Sequence, residues 1–168
     1  VAAGWAVGID RLSIGDVTAV VGIKYSTFYR YFPHRDALLT AMIEQAFVPE
    51  IIAGPGATDP GDPDAVAALE RVARHLNAVL DRHPGLASTL VTMSWPSAPI
   101  ATLRDGLVER LGAAGVAEHT AAAAADLLIS SIVFTHHTST SSTAPRESVS
   151  DLTREQVALI TTALGHQP

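Results

Sequence analysis

The sequence predicts an all-α protein. Three observations carry this. Long stretches free of Gly and Pro are rich in Ala, the best helix former. Within them apolar residues recur three and four positions apart, the spacing of one helix face. Runs of β-branched residues bounded by turn signals, which would announce strands, are hard to find.

Residues 1–8 read as the end of a helix stopped by Gly8. Residue 1 is Val rather than Met, so the chain is expected to begin inside a longer protein with its first helix truncated. Ser13 is placed to cap a short helix that runs to about Val21, with Ile14, Val17 and Val21 as its apolar stripe. Gly22 takes the positive φ of a helix end. A second short helix is expected from Tyr25 to Phe32, where Phe28 and Phe32 share the buried face and Pro33 ends it. A connector helix opens at His34-Arg35-Asp36 and runs through Leu38, Leu39, Met42, Ile43 and Phe47.

Gly54 to Asp64 reads as a loop, dominated by Gly, Pro and Asp. Helices follow over 65–83, 86–93, 100–114 and 116–137, separated by Pro84-Gly85, by Trp95-Pro96-Ser97-Ala98-Pro99 and by Gly115. A Ser/Thr-rich loop over 138–150 leads to a last helix over 151–164, capped by Ser150 or Asp151. The domains are read as 1–47 and 48–168.

Charge divides the chain the same way. Between residues 11 and 35 stand Arg11, Lys24, Arg30 and Arg35 against Asp16 alone, a net +3. With −6 overall, the remainder carries −9: a small basic module on an acidic body. The absence of cysteine excludes disulfides and thiolate metal sites and favours the cytoplasm. The most apolar window, Val116 to Phe134, holds Glu118, His119 and Asp126, so it reads as a buried helix and not as a membrane span. His136 and His137 point about 100° apart on a helix and cannot easily share one ion, so no metal and no cofactor is expected. Ser88, Ser94 and Ser97 lack an evident base partner, and no nucleophile elbow or phosphate loop appears, which argues against an enzyme.

Two short helices joined at Gly22 make a helix-turn-helix pattern. Packing of the first helix on Phe28 and Phe32 would hold the second while its other face stays exposed. That face carries Tyr25, Ser26, Tyr29 and Arg30, with Lys24 and Thr27 near its start. Hydroxyls and cations at a helix N-terminus suit phosphate oxygens, and a helix of about eight residues, roughly 12 Å long, fits a major groove.

The stretch Val17-x4-Gly22-Ile23-x4-Phe28-Tyr29-Arg30-Tyr31-Phe32-Pro33-x-Arg35-x-x-Leu38-Leu39 resembles the TetR family of transcriptional regulators, over about residues 4–47. The resemblance implies an N-terminal three-helix helix-turn-helix domain followed by a C-terminal helical bundle for ligand binding and dimerisation, in a homodimer that binds double-stranded DNA and responds to a small-molecule effector, as a repressor. It implies phosphate contacts for Thr27, Tyr29, Tyr31 and Arg35, base-facing positions for Tyr25 and Ser26, and a base or phosphate contact for Arg30. With Ser13 and Lys24 these form the DNA-facing set. Lys24, Gly15 and His34 depart from the family pattern, where a Ser-type cap, a side chain used for a base contact and a capping Ser or Asn are common. Two rival readings are a helical dimerisation module without DNA binding and a small-molecule-transforming enzyme.

The dimer interface is expected on the helices at 116–137 and 151–164, with Ala121 to Ala125 allowing close approach and Val157, Ile160 and Leu164 as a stripe. Ala122→Glu or Ile160→Asp would then give monomers. The effector pocket is expected among Leu76, Leu80, Leu90, Met93, Trp95, Leu107, Ser130 and Phe134, with His75, Ser130 or His136 as polar anchors. Its ligand would be mostly apolar and uncharged or weakly anionic, unless Asp126 faces the pocket.

Overall fold

A computed structural model describes residues 5, 8–53, 64–93, 97–139 and 147–165. Those residues form a 3-10 turn at Ile9–Arg11 and eight α-helices, with no strand among them: α1 (Ile14–Val21), α2 (Tyr25–Tyr31), α3 (Arg35–Ala53), α4 (Ala65–Arg82), α5 (Leu86–Thr92), α6 (Ala98–Ala113), α7 (Glu118–Ser139) and α8 (Glu147–Gly165). Helix α8 begins four residues before the expected Asp151. Trp95 and the expected loops around 54–63 and 140–146 lie outside the described residues.

Ends in the N-terminal unit follow from local chemistry. Ser13 accepts a hydrogen bond from Asp16 N at 3.1 Å, and Asp16 Oδ2 accepts one from Ser13 N at 3.1 Å. This capping box satisfies two amides that the first turn of α1 leaves without helical partners. At the other end Gly22 sits at φ 71°, and its N–H closes on Thr18 O. The buried side of α1 is Ile14, Val17 and Thr18; Val21 is 54% exposed, a correction to the expected stripe. Thr18 enters the core because its hydroxyl donates to Gly15 O at 3.1 Å, so burial leaves no polar group unsatisfied. Helix α2 ends where Phe32 turns extended before Pro33, which disfavours helical geometry in the residue ahead of it.

His34 departs from the family's usual cap, yet it still caps: its Nδ1 accepts from Ala37 N at 3.1 Å. Helix α3 buries Leu38, Leu39, Met42, Ile43, Ala46 and Phe47, and packs on α4 and α6, so it joins the N-terminal head to the body.

The body is built around α7, which packs on α4, α5, α6 and α8. Eight of its residues are buried, from Ala121 to His136, and the alanines among them let neighbouring helices close in. Inside, a polar relay crosses three helices. His136 Nε2 lies 2.7 Å from Asn77 Oδ1, and Asn77 Nδ2 donates to Ala73 O at 2.8 Å and to Thr153 Oγ1 at 3.3 Å. Because the Asn77 amide nitrogen donates, its oxygen must accept, which assigns a proton to His136 Nε2.

The head also docks on the body through the 3-10 turn. Ile9 is fully buried and its N–H reaches Pro84 O at 3.3 Å, at the corner between α4 and α5. Gly85, at φ 81°, completes the corner. A Cβ there would lie 2.1 Å from Asp10 Oδ1, so only a glycine lets Asp10 seat against it.

Candidate functional site

Helix α2 is held from one side and bare on the other. Phe28 is buried, in contact with Phe32 (ring centroids 5.6 Å apart) and edge-on to Tyr29 (5.5 Å). Opposite that anchor, Tyr25, Ser26, Tyr29, Arg30 and Tyr31 are exposed, Tyr31 at 74%, with Lys24 exposed at the N-cap and Thr27 half-buried. Three exposed tyrosines on a seven-residue helix cost solubility unless something covers them, and phenol hydroxyls beside two cations suit a phosphate-lined groove. Gly15 has a positional use: a Cβ there would meet the Tyr25 hydroxyl at 2.9 Å, so its absence lets Tyr25 lie against the start of α1.

Ser13 and Arg35 are placed differently from the rest of the set expected to face DNA. Ser13 is exposed, but its side chain is engaged in the α1 cap. The Ser13 hydroxyl also donates to Asp16 Oδ2 at 2.5 Å, and this bond, with the one from Ser13 N, holds the Asp16 carboxyl below its ordinary value of 3.8. Arg35 is half-buried. Its Nε donates to Leu12 O at 2.8 Å and an NH2 to Asp10 O at 2.9 Å. These two bonds make Arg35 a clamp that ties the 3-10 turn to the first turn of α3.

In the body, Leu76, Leu80, Leu90 and Leu107 are buried in the continuous core, and Met93 packs half-buried against it. Ser130 and Phe134 face outward, Phe134 at 60% exposure, so the structure does not bring them to the others. They share a helix face that periodicity alone could not orient, since α7 is apolar nearly all round. Of the candidate anchors, His136 is occupied by Asn77 and His75 is half-buried on α4. Asp126 is exposed and paired with Arg104, at 2.6 and 3.2 Å, which with Asp105 holds that guanidinium further in its charged form.

A cavity of about 510 Å³ lies where head meets body, and it includes Leu90 and Met93 of the expected pocket. Its head side, with Asp10, Asp36, Leu39 and Ile43, was not legible in sequence, because it joins residues more than forty positions apart. A second, more open groove of about 770 Å³ runs between α4 and α8, over Asn77 and Thr153. No group of three or more metal-ligating side chains comes together among the described residues, and none of the described helices is long and apolar enough to cross a membrane.

A helix-turn-helix head joined by a connector helix to an α-helical body is the architecture of a transcriptional regulator. The model of the tetracyclin repressor-like C-terminal domain matches residues 57–168, more than half of the chain and the part in which sequence reading found no motif. The chain belongs to the TetR family of transcriptional regulators. No curated protein and no solved structure matches it.

Proposed function

We propose that the chain binds a pseudo-palindromic operator as a homodimer in the cytoplasm, represses from it, and is released by a small, mostly apolar molecule. The single observation that carries the reading is the face of α2, where Lys24, Tyr25, Ser26, Tyr29, Arg30 and Tyr31 stand exposed while Phe28 locks the helix from behind. Two such helices related by a two-fold axis read inverted half-sites. Selection from a random duplex library tests this. The expected product is an inverted repeat, and a chain that enriches no sequence refutes it. In the same assay Tyr29→Ala and Tyr31→Ala weaken binding to every duplex alike. Arg30→Ala lowers the slope of log K against log salt by about one.

The dimer face is read from exposure. Leu127 and Phe134 on α7, and Leu152 and Leu159 on α8, are apolar and open, each pair seven residues apart and so on one side of its helix. The two helices pack together, so the four side chains offer a surface suited to a symmetric bundle of four helices. Ile160 and Val157, which sequence reading placed at the interface, are buried inside the protomer instead.

A further inference from the structure

We infer that the cavity between head and body is the effector site, and that its ligand is an organic cation with an apolar body; this rests on the reading of the chain as an effector-responsive regulator. A volume of about 510 Å³ is that of a small-molecule site. Its floor is apolar and comes from both domains: Leu39 and Ile43 of α3, Leu90 and Met93 of the α5 region. Two carboxylates, Asp10 and Asp36, stand at its edge.

The cation among its lining residues is Arg35, and two of its donor groups are consumed by the Asp10 and Leu12 carbonyls. Asp36 has no ion pair among the described residues, and the pair between Asp10 and Arg11 is loose, at 3.9 Å with Arg11 84% exposed. The formal charge of the lining is therefore −1, with the Asp36 carboxylate open to an incoming cation and that of Asp10 turned to it by the oxygen that does not lie against Gly85. Ser97, also in the wall, has a buried hydroxyl without a hydrogen-bond partner among the described residues. Rotation about χ1 offers it to an ammonium N–H, which removes the cost of leaving it unpaired. An uncharged or anionic ligand, the sequence expectation, would leave the carboxylates without a counter-charge or repel them.

Position supplies the coupling. One wall belongs to the head and the other to the body, and the same region holds the Asp10–Gly85 seat and the Arg35 clamp. An occupant changes how α3 and the 3-10 turn sit on α5, which shifts the spacing of two α2 helices in a dimer. It does so to the extent that it binds one arrangement better than the other.

Calorimetry on the full chain with phenylbutylammonium, phenylbutanol and phenylbutanoate tests the site, because the three probes share a body and differ in charge. The ammonium should bind tighter than the alcohol by about fivefold, the scale of one exposed charge pair, and the carboxylate weakest. Asp36→Asn, on the exposed edge where folding is not at stake, should reduce that preference, and Asp10→Asn with Asp36→Asn should remove it. Thr92→Trp should exclude all three probes with the melting temperature retained. An alcohol that binds as tightly as the ammonium, or a preference that survives the double substitution, overturns the proposal. Operator affinity, read by anisotropy, should fall when the ammonium is added; selective binding with unchanged affinity overturns the effector role. A chain that selects no duplex yet prefers the ammonium leaves the site standing and defeats the operator reading alone.

Discussion

Arg35 shows how one side chain changes meaning once its neighbours are known. In the sequence it is a cation next to a recognition helix. In the fold it is the clamp of the head, with two charge-assisted hydrogen bonds to main-chain carbonyls. Arg35→Ala should therefore destabilise the protein by about 2 kcal/mol, since it also strands those carbonyls. It should leave the salt slope of DNA binding unchanged. Chemical denaturation reads the first, a salt titration the second, and a slope lower by about one would return Arg35 to the phosphates. Asp16 gives a pH signature at the same scale. Its folded carboxyl titrates below the ordinary 3.8, so the charged form is favoured by folding. The stability this adds is present above that ordinary value and is lost as pH falls through the lower folded one. Ser13→Ala should flatten this acid limb of the melting curve, and an unchanged limb would count against the capping box as its source.

At the scale of elements, the corner between α4 and α5 and the end of α1 are both made by glycines at positive φ, yet they differ in what surrounds them. Gly22 has open space where a Cβ would go, so Gly22→Ala pays only for backbone conformation, about 1–2 kcal/mol. Gly85→Ala meets the same backbone penalty and also drives a Cβ into Asp10, whose main chain is itself held by Arg35. The Gly85 change should be the more destabilising, and should raise protease sensitivity between head and body. Equal losses in urea denaturation would show that the 3-10 turn yields without resistance. Sequence reading located both turns correctly, because Gly22 and Pro84-Gly85 punctuate apolar periods. It could not tell them apart, since the atom that Gly85 must avoid is seventy-five residues away.

For the whole molecule the open question at sequence level was which sides of α7 and α8 face the protomer's own core. The Val157–Ile160 stripe turned inward onto α4 and α7, and Leu127, Phe134, Leu152 and Leu159 were left outside. Phe134→Asp and Leu159→Asp, with Leu159 71% exposed, should each shift sedimentation toward monomer while helicity is retained. Ile160→Asp should instead unfold the protomer, because it buries a charge in the core. Dimers that persist in both outer variants would move the interface elsewhere.

The sequence by itself determined the helical class, most helix ends to within two residues and the position of helix α2; it followed α3 only to Phe47, short of its end at Ala53, and started α8 four residues late. Caps, glycine stops, proline breaks and apolar spacing are properties of residues within a few positions of one another. It also placed the exposed tyrosines and cations of α2, because Phe28 and Phe32 on one face leave the others no choice. The tertiary structure decided what depends on distance through space: the Arg35 clamp, the Asp10–Gly85 seat, the His136–Asn77–Thr153 relay, the outward face of α7 and the cavity between head and body. Helix α7 is the plainest case. Its apolar residues lie on nearly all sides, so its own pattern points nowhere. Its neighbours in the bundle then chose the inner face by burying it.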